Sequence, residues 1–242
     1  QPTRAATAFA EGCGVQVGDL QKLEEGKGTF LFYIGTKPGT DAVALLPGIV
    51  QASLDALPIP KRMRWGNGTA EFVRPVHWLV MLYGKDVVPA TVLGVAAGNV
   101  TRGHRFMAPK EIKVTSPATY AKSLRERGKV VPGFEERREI IKASLSVAES
   151  VGGPGAYAVT DDALLDEVTA LVEWPVPVTA QFEERFLTLP REVLISTLQE
   201  HQRYFPVYGP DGKLLPHFVA VANGRRERPD LIRTGNEEVL RA

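Results

Sequence analysis

The sequence holds one cysteine in 242 residues, Cys13 in Gly12-Cys-Gly14. That excludes an intrachain disulfide and a thiolate zinc site, and it fits a reducing, cytoplasmic setting. Cys13 follows an Ala-rich segment and reads as a small buried hydrophobe rather than a reactive thiol. His77, His104, His201 and His217 lack metal-ligand spacing, so no metal site is expected. No apolar run reaches the roughly 18 residues that span a bilayer. Residues 1–5, Gln-Pro-Thr-Arg-Ala, lack the basic start and apolar core of a signal peptide, so no membrane partner is expected. No glycine-rich loop ends in Lys-Ser/Thr, and no serine occupies a nucleophile elbow. Glu200 and His201 adjoin, but neighbours on a helix point about 100° apart and do not easily share a site. No catalytic set is expected on this chain.

What is present is a soluble globular composition, 44% hydrophobic and 24% charged, long enough for one large or two modest domains. The net charge of +1 conceals a segregation. Residues 58–142 carry 16 Lys/Arg against 7 Asp/Glu, whereas residues 161–200 carry 2 against 9. Such separation makes either a basic face for nucleic acid or two segments that neutralise each other in space.

The densest chemistry lies in 99–109, Asn-Val-Thr-Arg-Gly-His-Arg-Phe-Met-Ala-Pro. Thr101 to Phe106 bring together a hydroxyl, two guanidiniums, a glycine, an imidazole and an aromatic ring. Guanidinium forks suit phosphate, and glycine permits close backbone approach. Arg102, His104 and Arg105 are therefore candidate polyanion contacts. A second patch, Lys61, Arg62, Arg64 and Trp65, offers cations beside a ring that stacks on a base. For both patches a structural reading stays open. Trp65 packs inward and its neighbours are solvated, or Gly103-His104 is a turn whose arginines pair with Glu173 or with other acids of 161–200. His77, in an apolar run, reads as a hydrogen-bonded core histidine. Glu173, beside Trp174, reads as a helix-ending corner.

Periodicity predicts helices over 3–12, 42–57, 117–127, 134–151, 161–172 and 190–202. It predicts a hairpin over 17–35, a strand at 76–83 with a partner near 87–96, a short strand at 111–114, and a hairpin over 204–223. Gly152-Gly-Pro-Gly155 reads as a flexible linker. Helices interleaved with antiparallel hairpins, without a βαβ repeat, make the fold class α+β. The chain starts at Gln1 and ends in Glu237-Glu-Val-Leu-Arg-Ala242, the start of a helix, which reads as a piece of a longer chain.

Seven segments, in order, carry a resemblance. They are Lys61-Arg-Met-Arg-Trp65, Phe72-Val-Arg-Pro-Val-His-Trp-Leu-Val80, Thr101-Arg-Gly-His-Arg-Phe106, Glu173-Trp-Pro175, Leu189-Pro-Arg-Glu-Val-Leu-Ile195, His201-Gln-Arg-Tyr-Phe-Pro206 and Gly235-Asn-Glu-Glu-Val-Leu-Arg-Ala242. Together they resemble the β chain of the bacterial tetrameric glycyl-tRNA synthetase, over nearly the whole chain. The resemblance implies a non-catalytic part of an α2β2 glycine–tRNA ligase. Its partners would be the α subunit, tRNA(Gly) and a second β subunit. ATP and Mg2+ would be used by the α subunit, with no cofactor on this chain. It also implies a region similar to the B3/B4 module of the phenylalanyl-tRNA synthetase β chain. On that basis 1–98 is expected as an N-terminal α+β lobe, 99–225 as a B3/B4-like lobe, and 226–242 as the start of a connection to further domains. Arg74, Glu173, Trp174 and His201 are expected in structural or lobe-interface roles. An editing-type hydrolytic domain and a pure scaffold for the α subunit remain as alternatives.

Overall fold

A computed structural model describes residues 3–26, 28–36, 38–224 and 229–241. Two compact units are present, 1–45 and 46–242, with the boundary inside a helix. In the first unit, α1 (Arg4–Cys13) starts on a Thr3 side chain that accepts from the Ala6 amide. It ends on Gly14 in the left-handed region, one residue past Cys13. Cys13 is half-buried rather than enclosed. A 3-10 turn at Val17–Asp19 occupies what the sequence presents as the start of a strand. β1 (Gln21–Glu25) and β2 (Gly28–Phe32) then form the expected antiparallel hairpin, although Lys27 at its turn lies outside the described residues. α2 (Ala42–Asp55) follows, and none of its residues is buried.

Within the second unit, residues 58–131 are built from very short strands. β3 (Met63–Arg64) pairs with β4 (Glu71–Phe72). The apolar run 76–83 does not form one strand. It divides into β5 (Leu79–Val80) and β6 (Leu82–Tyr83), and β6 turns through Gly84 into β7 (Asp86–Val87). Pro89, which has no N–H to give a ladder, separates β7 from β8 (Thr91–Val92). β8 and β9 (Val95–Gly98) join through Leu93 and Gly94, both at positive φ, the backbone of a tight two-residue hairpin. β9 also pairs with β5, and in parallel, so the α+β class holds but not every pairing is antiparallel. β10 (Val100–Arg102) and β11 (Glu111–Lys113) form a further antiparallel pair. α3 (Pro117–Glu126) follows, with proline in its first turn.

The main core lies further on. α4 (Phe134–Ser144) passes into a 3-10 turn at Leu145–Ala148 and then α5 (Glu149–Gly152), so the expected long helix is broken after Ser144. Gly152 is no linker residue. A Cβ there would lie 2.5 Å from the Ala156 Cβ and 2.9 Å from the Leu215 Cδ1. The four residues Gly152–Gly155 form a packed corner leading into β12 (Tyr157–Ala158). α6 (Asp162–Leu171) begins on Asp161, whose carboxylate accepts from the Ala163 and Leu164 amides. β13 (Pro175–Gln181) comes next, then α7 (Arg191–Ile195), which widens into a π-helix at Ser196–His201. β14 (Phe205–Tyr208) and β15 (Leu214–Asn223) complete a sheet ordered β12-β14-β15-β13, and α8 (Pro229–Arg241) closes the described chain.

Alternation along this sheet makes two cores. Phe205, Val207 and Val219 face Ile141, Leu145, Leu165 and Val168 of α4, its 3-10 extension and α6. Tyr204, Phe218 and Ala220 face the other way, against Leu198, Phe182 and Leu240. Arg203, at φ 60°, ends the π-helix and sets this register, while the Tyr204 hydroxyl donates to the Asn236 Oδ1 and ties down α8. The segment His201-Gln-Arg-Tyr-Phe-Pro206 is thus a structural corner, with only His201 exposed. Among the described residues, no helix is long and apolar enough to cross a membrane.

Candidate nucleic-acid interface

β10 alternates as a strand should. Thr101 points inward and is buried, while Val100 and Arg102 point outward. Across the pair, Arg102 stands opposite Glu111 and Val100 opposite Lys113. The Trp78 indole N–H donates to the Thr101 hydroxyl at 3.2 Å, which places its ring beside β10. The Arg102 guanidinium lies 6.0 Å from the centre of that ring, within cation–π range. Arg105 lies 5.7 Å from the centre of the Phe106 ring, which is 71% exposed. Trp78 with Arg102, and Phe106 with Arg105, are thus two exposed pairings of a ring with fixed positive charge.

Arg102 meets Glu111 at 3.1 Å, with both side chains more than half exposed. An exposed pair of this kind contributes only about 0–1 kcal/mol. A phosphate accepting two hydrogen bonds competes with it readily. The expectation that Arg102 and Arg105 pair with the 161–200 acids is overturned. Other arginines reach that segment: Arg138 contacts Asp162 at 2.7 Å and Asp166 at 2.6 Å, and Arg203 contacts Glu167 at 2.6 Å. The Asp166 and Asp162 carboxylates hold the Arg138 guanidinium above its ordinary pKa. Arg137 on α4 donates to the Thr169 and Val131 carbonyls. The acidic segment is thus met by α4 and Arg203, and Arg102 and Arg105 stay on the surface.

His104 is placed differently from its neighbours. It is 2% exposed, and its Nδ1 accepts from the Phe106 and Met107 amides, both at 3.3 Å. An accepting Nδ1 carries no proton, so the neutral ring holds its hydrogen on Nε2, which is buried without a partner among the described residues. The His104 amide donates to the Gly128 carbonyl at 2.7 Å. His104 is thus the pivot of a turn, and its ring does not reach solvent to contact RNA. His104→Asn keeps an acceptor near the position of Nδ1 and is expected to retain most of the stability. His104→Ala leaves two amides without their acceptor and is expected to cost about 1–3 kcal/mol in urea unfolding.

The second predicted patch is looser. Lys61, Arg62 and Arg64 are exposed, and Trp65 is half-buried. Arg62 donates to the Asp55 carbonyl at 3.2 Å, at the end of α2 where a cation is favoured. Among the described residues Lys61 and Arg64 have no ion-pair partner. Arg74 is exposed and, among the described residues, donates only to its neighbour's carbonyl, that of Val73. His77 is exposed rather than a core residue, its ring 6.4 Å from that of Trp78. The Glu173 carboxylate is exposed, but the Glu173 and Trp174 amides both donate to the Asn223 Oδ1 at 3.0 Å. The Glu173 carbonyl accepts from the Val131 amide, and Lys129 lies 5.7 Å from the centre of the Trp174 ring. Glu-Trp-Pro is a backbone junction, as the corner reading expects.

Trp78, Tyr120 and Thr101 were not predicted as site residues. They line a cavity of about 490 Å3 with Leu79, Val80, Leu82, Val114 and Pro117. No local pattern joins Trp78 to Arg102, which lie 24 positions apart, and the segment after Trp78 is apolar, Leu-Val-Met-Leu-Tyr. A second, more polar cavity of about 340 Å3 is lined by Thr179, Gln181, His217, Arg233, Thr234 and Glu237. Burial holds the His217 imidazole below its ordinary pKa, against the pull of Glu184, and its Nδ1 has no partner among the described residues.

The family model described as "Glycyl-tRNA synthetase beta subunit" matches residues 1–242. Relatives named glycine–tRNA ligase beta subunit include one from Marinobacter nauticus, 49% identical over 241 residues, covering 99% of this chain and 34% of the relative. A Pseudomonas aeruginosa relative is 50% identical over 240 residues, covering 99% and 34%. A Citrobacter koseri relative is 47% identical over 242 residues, covering 100% and 35%. This chain spans about a third of the length of these relatives. With the family model matched from end to end, the chain belongs to the glycyl-tRNA synthetase beta subunit family.

Proposed function

We propose that this chain works within a glycine–tRNA ligase as part of its non-catalytic β subunit, contributing to tRNA recognition and to assembly with the α subunit. In this reading the complex is a cytoplasmic α2β2 heterotetramer that joins glycine to tRNA(Gly), and the α subunit uses the ATP and Mg2+. Residues 99–225 serve as a B3/B4-like lobe, 1–98 as the lobe before it, and 226–242 as the start of a connection. Among the described residues no three His, Cys, Asp or Glu side chains are grouped to hold a metal ion.

One observation supports the tRNA reading: Arg102 beside Trp78 and Arg105 beside Phe106 each set a guanidinium against an exposed ring, while Arg138 and Arg203 pair with Asp162, Asp166 and Glu167. Cations that track phosphate and rings that stack on bases are the two parts of a single-strand RNA surface. Filter binding of tRNA to the complete β subunit with its partner is expected to show affinity falling steeply with salt. A flat dependence removes the tRNA reading.

A hydrolytic editing role is a second reading, supported by the neutral His217 imidazole beside Glu237 and Thr179 in the polar cavity. Incubating the complex with mischarged tRNA tests it, and deacylation no faster than in buffer removes it.

A further inference from the structure

The cavity beside Trp78 has a composition that the phosphate-contact reading does not use. Its walls are aliphatic, from Leu79, Val80, Leu82 and Val114. Its rim carries two rings left partly open to solvent, Trp78 at 44% and Tyr120 at 38%. Its volume, about 490 Å3, falls in the range of pockets that enclose a small organic ligand. Thr101 brings a hydroxyl to its lining. The Thr101 hydroxyl already accepts from the Trp78 indole, and its own hydrogen has no acceptor among the described residues, so it is free to donate to an occupant. The residue after Thr101 on β10 is Arg102, with its charge near the Trp78 ring.

These features ask for a flat, aromatic occupant with an acceptor on its edge and an anion attached. An aliphatic side chain from a protein partner would leave the Thr101 hydroxyl and the Arg102 charge without a use. We propose that the cavity takes one unstacked nucleobase of the bound RNA. The base lies against the Trp78 and Tyr120 rings, accepts at its edge from Thr101, and sets its phosphate near Arg102. The proposal rests on the reading of this surface as an RNA contact and narrows it, because a base held in a pocket must come from an unpaired nucleotide.

The test uses the complete β subunit with its partner and two probes, a tRNA transcript and a fully paired RNA duplex. Tyr120 is on the exposed side of α3 and makes no hydrogen bond among the described residues, so Tyr120→Ala is expected to leave thermal unfolding unchanged. It is expected to weaken tRNA binding about 5- to 150-fold, the range for losing one stacked base. Tyr120→Phe is expected to restore binding. The salt slope and the affinity for duplex are expected to stay as in the parent, since no phosphate contact is lost. Trp78→Phe, which keeps a ring but frees Thr101, is expected to fall between. If Tyr120→Ala binds tRNA normally while Arg105→Gln weakens it, the base pocket is wrong and the RNA surface stands. If neither changes binding, both readings fall. If Tyr120→Ala weakens subunit association and leaves tRNA affinity unchanged, the cavity is a socket for protein and the proposal is overturned.

Discussion

Gly103→Ala is expected to destabilise the 46–242 unit by about 3 kcal/mol or more, the upper end for overpacking a filled site. A Cβ at Gly103 would stand 2.4 Å from the Gly128 carbonyl oxygen and 2.5 Å from its Cα. Those are main-chain atoms, so no rotamer change relieves the clash. Gly128 is held just as tightly, because a Cβ there would lie 2.6 Å from the Leu124 carbonyl oxygen. The two glycines let the end of α3 pass directly over the turn that follows β10, and the His104 amide then bonds Gly128 across the gap. Gly98→Ala is the control. Nothing lies within 4 Å of its built Cβ, and its φ is not in the left-handed region. Urea unfolding of the two variants is expected to separate them clearly, with Gly98→Ala close to the parent. Equal midpoints would show that the glycine contact does not hold the turn.

Phe205→Ala is expected to cost about 3–5 kcal/mol, the usual range for removing a large aromatic side chain from a core. Phe205 is fully buried and faces the α4 and α6 side of the sheet. Its strand is hydrogen-bonded on both sides, to β12 and to β15, which limits how far the site can collapse into the space left. Natural domains have only about 5–15 kcal/mol to lose, so this one change removes a large share. Tyr204→Phe, one residue earlier on the other face, keeps the ring stacked 4.6 Å from Phe218 and gives up only the hydroxyl bond to Asn236. It is expected to cost about 1 kcal/mol. Calorimetric or denaturant unfolding that ranks the two in the opposite order would contradict the two-core arrangement.

The parts of the fold that were legible share a cause. α6 combines a capping aspartate with a helical period, and β14–β15 combine apolar, aromatic and β-branched runs with a Gly-Pro-Asp-Gly turn. Each carries its signal within its own span. The region 63–113 does not. Its strands are two to four residues long, too short for a period, and they pair with segments that are not always adjacent in sequence. Leu93 adopts positive φ, which nothing about leucine announces. The 99–109 stretch is dense in chemistry, but the sequence does not show that its histidine faces inward while its arginines face outward. That split comes from strand alternation at Thr101 and Arg102 and from the glycine contact at 103 and 128. Gly152 shows the reverse error, since glycine-rich sequence marks a corner pressed against Ala156 as readily as it marks a linker.

The central claim is that Arg102 and Arg105 meet RNA phosphate. The most direct measurement is the slope of log tRNA affinity against log salt, for the complete β subunit with its partner, in the parent and in the Arg102→Gln/Arg105→Gln double variant. Each lost phosphate contact is expected to make the slope shallower by about one, and so by about two in the double variant, with affinity reduced at low salt. An unchanged slope with unchanged affinity would place the RNA elsewhere and return Thr101–Phe106 to a purely structural role.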